Sequence, residues 1–72
     1  MNGERSPQAQ LSTARYLLAQ FIAQLDEYEA MNRAQRRTPR GRDLTARLDG
    51  LRAGKAKWEA RATKLQARIG TD

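Results

Sequence analysis

The 72-residue chain contains no cysteine and no histidine. The first absence excludes disulfide staples, and the two together remove the usual ligands of a structural zinc site. A chain of this length supports one small domain with a marginal core. Its stability therefore has to come from close helix packing or from self-association.

Long apolar runs are missing as well. The longest, YLLAQFIAQL over residues 16–25, is broken by glutamines and falls short of the roughly 18–20 residues that span a bilayer. The first ten residues, MNGERSPQAQ, lack the basic-then-apolar order of a signal peptide. The expectation is a cytoplasmic protein with no membrane partner. Catalytic sets are absent too. No side chain serves as an imidazole base or thiol nucleophile, no glycine-rich loop follows a strand, and Ser6 and Ser12 stand without an evident base. Asp26, Glu27 and Glu29 form an acidic patch late in the first helical segment. Paired carboxylates do acid–base work in a desolvated cleft, and a helical hairpin offers none. The patch reads as a solvated face, with Glu29 and Arg33 spaced for an i,i+4 pair. Neither an enzymatic activity nor a cofactor, metal or small-molecule substrate is expected.

Acidic residues are scarce in one half only. The net charge is +6, from fourteen Lys and Arg against eight Asp and Glu. Residues 1–32 carry a net −2 and residues 33–72 a net +8. Eleven of the fourteen bases are arginine, part of which a GC-rich genome writes by default. Five of them crowd into RAQRRTPRGRD, residues 33–43, as Arg33, Arg36, Arg37, Arg40 and Arg42.

The patterning that is present is helical. Ser6-Pro7 is a helix start, a capping hydroxyl followed by a proline suited to the first helical position. Apolar residues then fall at Leu11, Ala14, Leu18, Phe21, Leu25 and Tyr28, in the alternating three-and-four steps of a heptad seam. Thr38-Pro39 and Gly41 punctuate the chain, and the residue before a proline is biased away from helix. Thr38 or Asp43 can cap the second helix. A second seam runs through Leu44, Leu48, Leu51, Lys55, Trp58, Ala62, Leu65 and Ile69.

Folded about residue 38, the seams meet in register, Tyr28 with Leu48, Leu25 with Leu51, Phe21 with Lys55, Leu18 with Trp58, Ala14 with Ala62 and Leu11 with Leu65. Arg15 and Glu59 then lie on one side as an opposite-charge pair. The fold class expected is all-α, an antiparallel two-helix hairpin of coiled-coil type that pairs into a dimeric four-helix bundle. Its parts are a flexible N-terminus at 1–5, a single domain at 6–70, helix 1 over about 7–35, a basic turn at 36–42 and helix 2 over about 43–69. Lys55 reads as a snorkelling stem that sets register. Gly50 and Gly54 read as soft points costing about 1 kcal/mol each against alanine.

Two surfaces stand out as candidate sites. Leu17, Ile22 and Met31 widen the apolar stripe of helix 1 beyond what one partner helix covers. With the outward Tyr16, they form the expected dimer or partner face. The second surface is the arginine tip, Arg33, Arg36, Arg37, Arg40 and Arg42 with Arg47 beside it, suited to phosphates or to an acidic protein surface. The favoured function is a small protein–protein interaction module, a homodimer that regulates or inhibits another protein with an acidic or apolar surface. Phage and accessory-element regulators are often built this way, which is analogy only. The alternative is nucleic-acid binding, with the tip on phosphates. No aromatic is interleaved with the tip arginines for base stacking.

Overall fold

The computed structural model describes residues 6–70, and the expected flexible segment 1–5 lies outside the described residues. Three helices succeed one another: α1 over Pro7–Ala30, α2 over Arg33–Arg36 and α3 over Pro39–Gly70. No strand occurs among the described residues. The two long helices lie side by side in an elongated body of 51 × 25 × 15 Å, with α2 tucked against α3 at the turn.

Both long helices begin in the same way. The Ser6 hydroxyl accepts from the Ala9 amide at 3.2 Å, with Pro7 opening α1. The Thr38 hydroxyl accepts from the Gly41 amide at 3.2 Å, with Pro39 opening α3. In each case the hydroxyl satisfies one of the orphan donors of the first turn, and the proline occupies a position where no donor is needed. Of the two caps open for the second long helix, Thr38 is used, so the helix starts four residues before Asp43.

The first helix ends earlier than its pattern suggests. Residues 31 and 32 leave the helix with extended backbone. Asn32 then starts α2 with a capping box: its side chain accepts from the Gln35 amide, and the Gln35 side chain accepts from the Asn32 amide, both at 2.8 Å. Asn-x-x-Gln supplies locally what a continued helix would otherwise provide. The stretch expected as the end of helix 1 and a basic turn is therefore a break, a four-residue helix and the first turn of α3.

The core forms two clusters. Leu11, Ala14 and Leu65 are buried together, with Trp58, Ala62 and Ile69 packed on them. Leu25, Leu44 and Leu51 form the second, with Phe21, Tyr28, Met31 and Leu48 against it. Four expected pairs, Leu11–Leu65, Ala14–Ala62, Leu25–Leu51 and Tyr28–Leu48, fall within single clusters. The waist between the clusters departs from expectation. Leu18, expected on Trp58, packs on neither cluster and is only half-buried. The Phe21 ring lies over Gly54, in the space where a Cβ would stand. Gly54 is thus a notch for the ring and not a soft point, whereas a Cβ on Gly50 would meet nothing. Phe21, Tyr28, Leu48 and Trp58, expected as core, are half-buried, because two helices cover each other along one stripe and supply no third layer. The deepest side chains are Ala14 and Leu44, both 0% exposed.

Candidate interaction surfaces

The hairpin has two flanks, one on each side of the seam. On the first, Arg15 donates to Gln66 Oε1 at 2.7 Å. The pair expected there, Arg15 with Glu59, does not form; the Arg15 guanidinium instead reaches Gln66, about two turns further along α3. Further along, an open groove of about 370 Å³ runs between α1 and α3. Ile22, Leu25 and Ala56 give it an apolar floor, and Asp26, Glu29, Arg52, Lys55 and Glu59 line the rest. Among the described residues none of these five charges makes an ion pair. Glu29 and Arg33, expected as an i,i+4 pair, are separated by the break at residues 31–32 and do not meet. Lys55, half-buried, lines this groove, and the Phe21 ring lies over its chain neighbour Gly54.

On the second flank Arg61 donates to Gln10 Oε1 at 2.8 Å. One ridge of α3 runs along this side, Arg40, Asp43, Arg47, Gly50, Gly54, Lys57, Arg61, Lys64 and Arg68, each residue three or four from the last and so its neighbour on the helix surface. The facing positions of α1 are Gln10, Thr13, Leu17, Gln20, Gln24 and Glu27. The acids on this flank, Glu27 and Asp43, both sit at the turn end and both are paired. Arg40 grips Glu27 through two hydrogen bonds of 2.8 Å. Asp43 lies 3.4 Å from Arg47 and 3.7 Å from Arg40. The bidentate bond to Arg40 holds the Glu27 carboxyl below the usual carboxylate range and raises the already high pKa of Arg40, against opposing desolvation.

The six candidate tip arginines divide evenly. Arg36 lies over the Tyr28 ring, 4.4 Å from its centroid, and donates to the Tyr28 carbonyl at 3.3 Å. With Arg40 and Arg47 it is committed to the fold. The side chains of Arg33, Arg37 and Arg42 make no hydrogen bond or ion pair with the described residues, and all three residues are exposed. A tight turn of like charges costs stability through self-repulsion, and the structure answers half of that cost with acids and an aromatic face.

The expected dimer or partner face flanks the seam on both sides, as its spacing implies. Leu17 and Ile22 are five residues apart, hence about 140° apart around α1 at about 100° per residue, and lie on opposite flanks. Met31 is drawn onto the Leu25–Leu44–Leu51 cluster, because the helix ends beneath it. Tyr16 points away from both flanks and is 65% exposed. Sequence reasoning missed the ridge of Lys57, Arg61 and Lys64. Its signal, spacings of four and three with no acid among them, is overshadowed by the denser arginine run. Among the described residues no group of three or more metal-ligating side chains gathers, and no helix is long and apolar enough to cross a membrane. No family model, curated protein or solved structure matches the chain.

Proposed function

We propose that the chain is a small non-enzymatic protein–protein interaction module, a homodimer that regulates or inhibits a partner protein. The observation that supports this reading is the groove on the Ile22 flank. An apolar floor ringed by unpaired charges of both signs is complementary to another protein surface and poorly suited to solvent. It is also self-complementary. A second copy related by a two-fold axis sets Asp26 and Glu29 of one α1 against Arg52 and Lys55 of the other α3, and closes two hairpins into a four-helix bundle.

Surface area supports the same reading. The chain exposes 5449 Å², whereas a compact monomer of its mass exposes roughly 4,500 Å² by size scaling. The difference is close to the roughly 800 Å² that each partner buries in a standard interface. Arg33, Arg37 and Arg42 at the tip, with Tyr16 on the back of α1, then remain as contacts for the regulated protein.

Light scattering at micromolar concentration tests the assembly. The expected mass is twice the 8.2 kDa of the chain, falling to the single mass in Ile22→Glu. A parent protein of single mass across that range overturns the dimer. Retention of a protein partner from nuclease-treated source extract, lost on changing Arg33, Arg37 and Arg42 to Ser, tests the regulatory part.

A further inference from the structure

The second flank differs from the first in its charge. Beyond Gly54 its ridge holds Lys57, Arg61 and Lys64, continued by Arg68, and no acid stands on that flank from there to the end of α3. Lys57 rests over Trp58, 5.4 Å from the ring centroid. Arg61 meets the neutral Gln10 amide, and Lys64 has no partner among the described residues. Among the described residues, none of the three is paired with an acid: Lys57 has only the Trp58 ring, Arg61 only the Gln10 amide, and Lys64 neither. Like charges at i,i+3 and i,i+4 destabilise a helix by tenths of a kcal/mol per pair. Acids were available as partners: Asp26, Glu29 and Glu59 line the groove on the opposite flank.

We infer that this flank binds the phosphate backbone of a nucleic-acid duplex. Three observations select that occupant. First, the ridge is straight and purely basic. Lys57 to Lys64 spans seven residues, about 10.5 Å at about 1.5 Å per residue, and a duplex presents one phosphate charge per about 1.7 Å of axis. Second, the facing positions of α1 are Gln10, Thr13, Gln20 and Gln24, which add no acid. Thr13 and Gln24 donate to the Ala9 and Gln20 carbonyls, and the Gln20 amide with the second amide hydrogen of Gln24 can donate to phosphate and sugar oxygens. The one apolar residue among them, Leu17, is half-buried. Protein hot spots centre on aromatic and arginine anchors in well-packed pockets; on this flank Leu17 and Trp58 are both half-buried, and Trp58 packs on the core. Third, the aromatic at hand, Trp58, packs on the Leu11–Ala14–Leu65 cluster beneath Lys57. Half-buried there and overlain by Lys57, its ring offers less surface than a free aromatic for stacking on the splayed bases of a single strand. Binding is through backbone phosphates and therefore independent of base sequence. The inference does not depend on the dimer, because the groove lies on the other flank.

Fluorescence anisotropy with a labelled 20-base-pair DNA duplex of mixed sequence, titrated with the full chain at about 50 mM salt, tests it. Two variants remove the same charge. One changes Lys57, Arg61 and Lys64 to Gln, and the other changes Arg33, Arg37 and Arg42 to Gln. Circular dichroism verifies that both keep their helices. The expected result is binding by the parent with a log–log salt slope near −2.7, from about −0.9 for each of three contacts. That slope corresponds to about 40-fold weaker binding at 200 mM than at 50 mM salt. The ridge variant loses at least tenfold in affinity, and the tip variant less than threefold. A duplex RNA arm identifies which duplex is bound more tightly. Equal losses in the two variants overturn the inference, since net charge alone would then explain binding. So does tighter binding of the matching single strand, of polyglutamate as an acidic chain, or no binding of any duplex at 50 mM salt.

Discussion

The turn half and the open half of the hairpin treat charge in opposite ways. Around the turn, arginines are spent on folding. Arg40 clamps α1 to α3 through Glu27, Arg36 covers Tyr28, and Arg47 meets Asp43. At the open end arginines reach across the helices to neutral glutamines, Arg15 to Gln66 and Arg61 to Gln10, and Lys57 and Lys64 pair with no acid among the described residues. Density of basic residues is thus a poor guide to function. What marks a candidate binding surface is charge left without an acid, and the sparser ridge carries three such charges in one straight row, as many as the crowded tip.

Substitutions sharpen or break this contrast. The largest effect is expected in the turn half. Leu44→Ala removes a side chain with 0% exposure and should cost about 2–5 kcal/mol, read by chemical denaturation. Leu11→Ala should cost less, because the helix ends at the open side relax more easily around a cavity. Equal costs would break the contrast. Next is Gly41→Ala. Gly41 is buried, and a Cβ there would run into the Gln35 carbonyl and the backbone of Arg36, 2.5 Å from its Cα. The expected cost is about 1–3 kcal/mol from forced displacement of α2, with a thermal midpoint lower by several degrees.

The Glu27–Arg40 clip gives a smaller, pH-dependent effect, since both side chains are largely exposed and water screens the pair. The folded carboxyl titrates below its ordinary value. The clip therefore stabilises fully above the ordinary carboxylate range, and its contribution is lost as pH falls through the lowered pKa. Thermal melts of Glu27→Gln should be less stable than the parent at neutral pH and converge with it in acid. Parallel curves across that range would show that the clip carries no linkage. The smallest effect has the opposite sign. Gly50→Ala enters open space and should stabilise by up to about 1 kcal/mol from helix propensity, whereas Gly54→Ala should not, because the Phe21 ring occupies the site.

Much of this architecture is legible in the residues. The heptad steps place two helices, Ser6-Pro7 and Thr38-Pro39 mark their starts, and the seam register predicts which residues share a cluster. The break at Met31-Asn32 is hidden, because the apolar steps continue smoothly toward it while the competing signal is a polar box of Asn32 and Gln35. Gly54 misleads for a different reason. Its role depends on where the Phe21 ring lands across the helix pair, and periodicity within one helix carries no such information. The surfaces are least legible. Leu17 and Ile22 are legible as flanking the seam on its two sides, but which flank carries the open groove emerges only from the packed helices. The arginines of the tip look alike in sequence, and only the fold distinguishes those it uses.

The clip at the turn also sets the order of events when the chain folds. Contacts next to it, such as Tyr28 with Leu48, join residues twenty apart in sequence, while Leu11 and Leu65 are fifty-four apart. Closing the longer loop first has the greater entropic penalty, whereas each contact made from the turn outward shortens the loop left for the next. Chain closure therefore proceeds as a zipper from Gly41 toward the ends. Weakening Leu44 or Leu48 should slow folding, and weakening Leu11 or Leu65 should chiefly speed unfolding. The arginine-rich turn is in this sense the nucleus of the molecule.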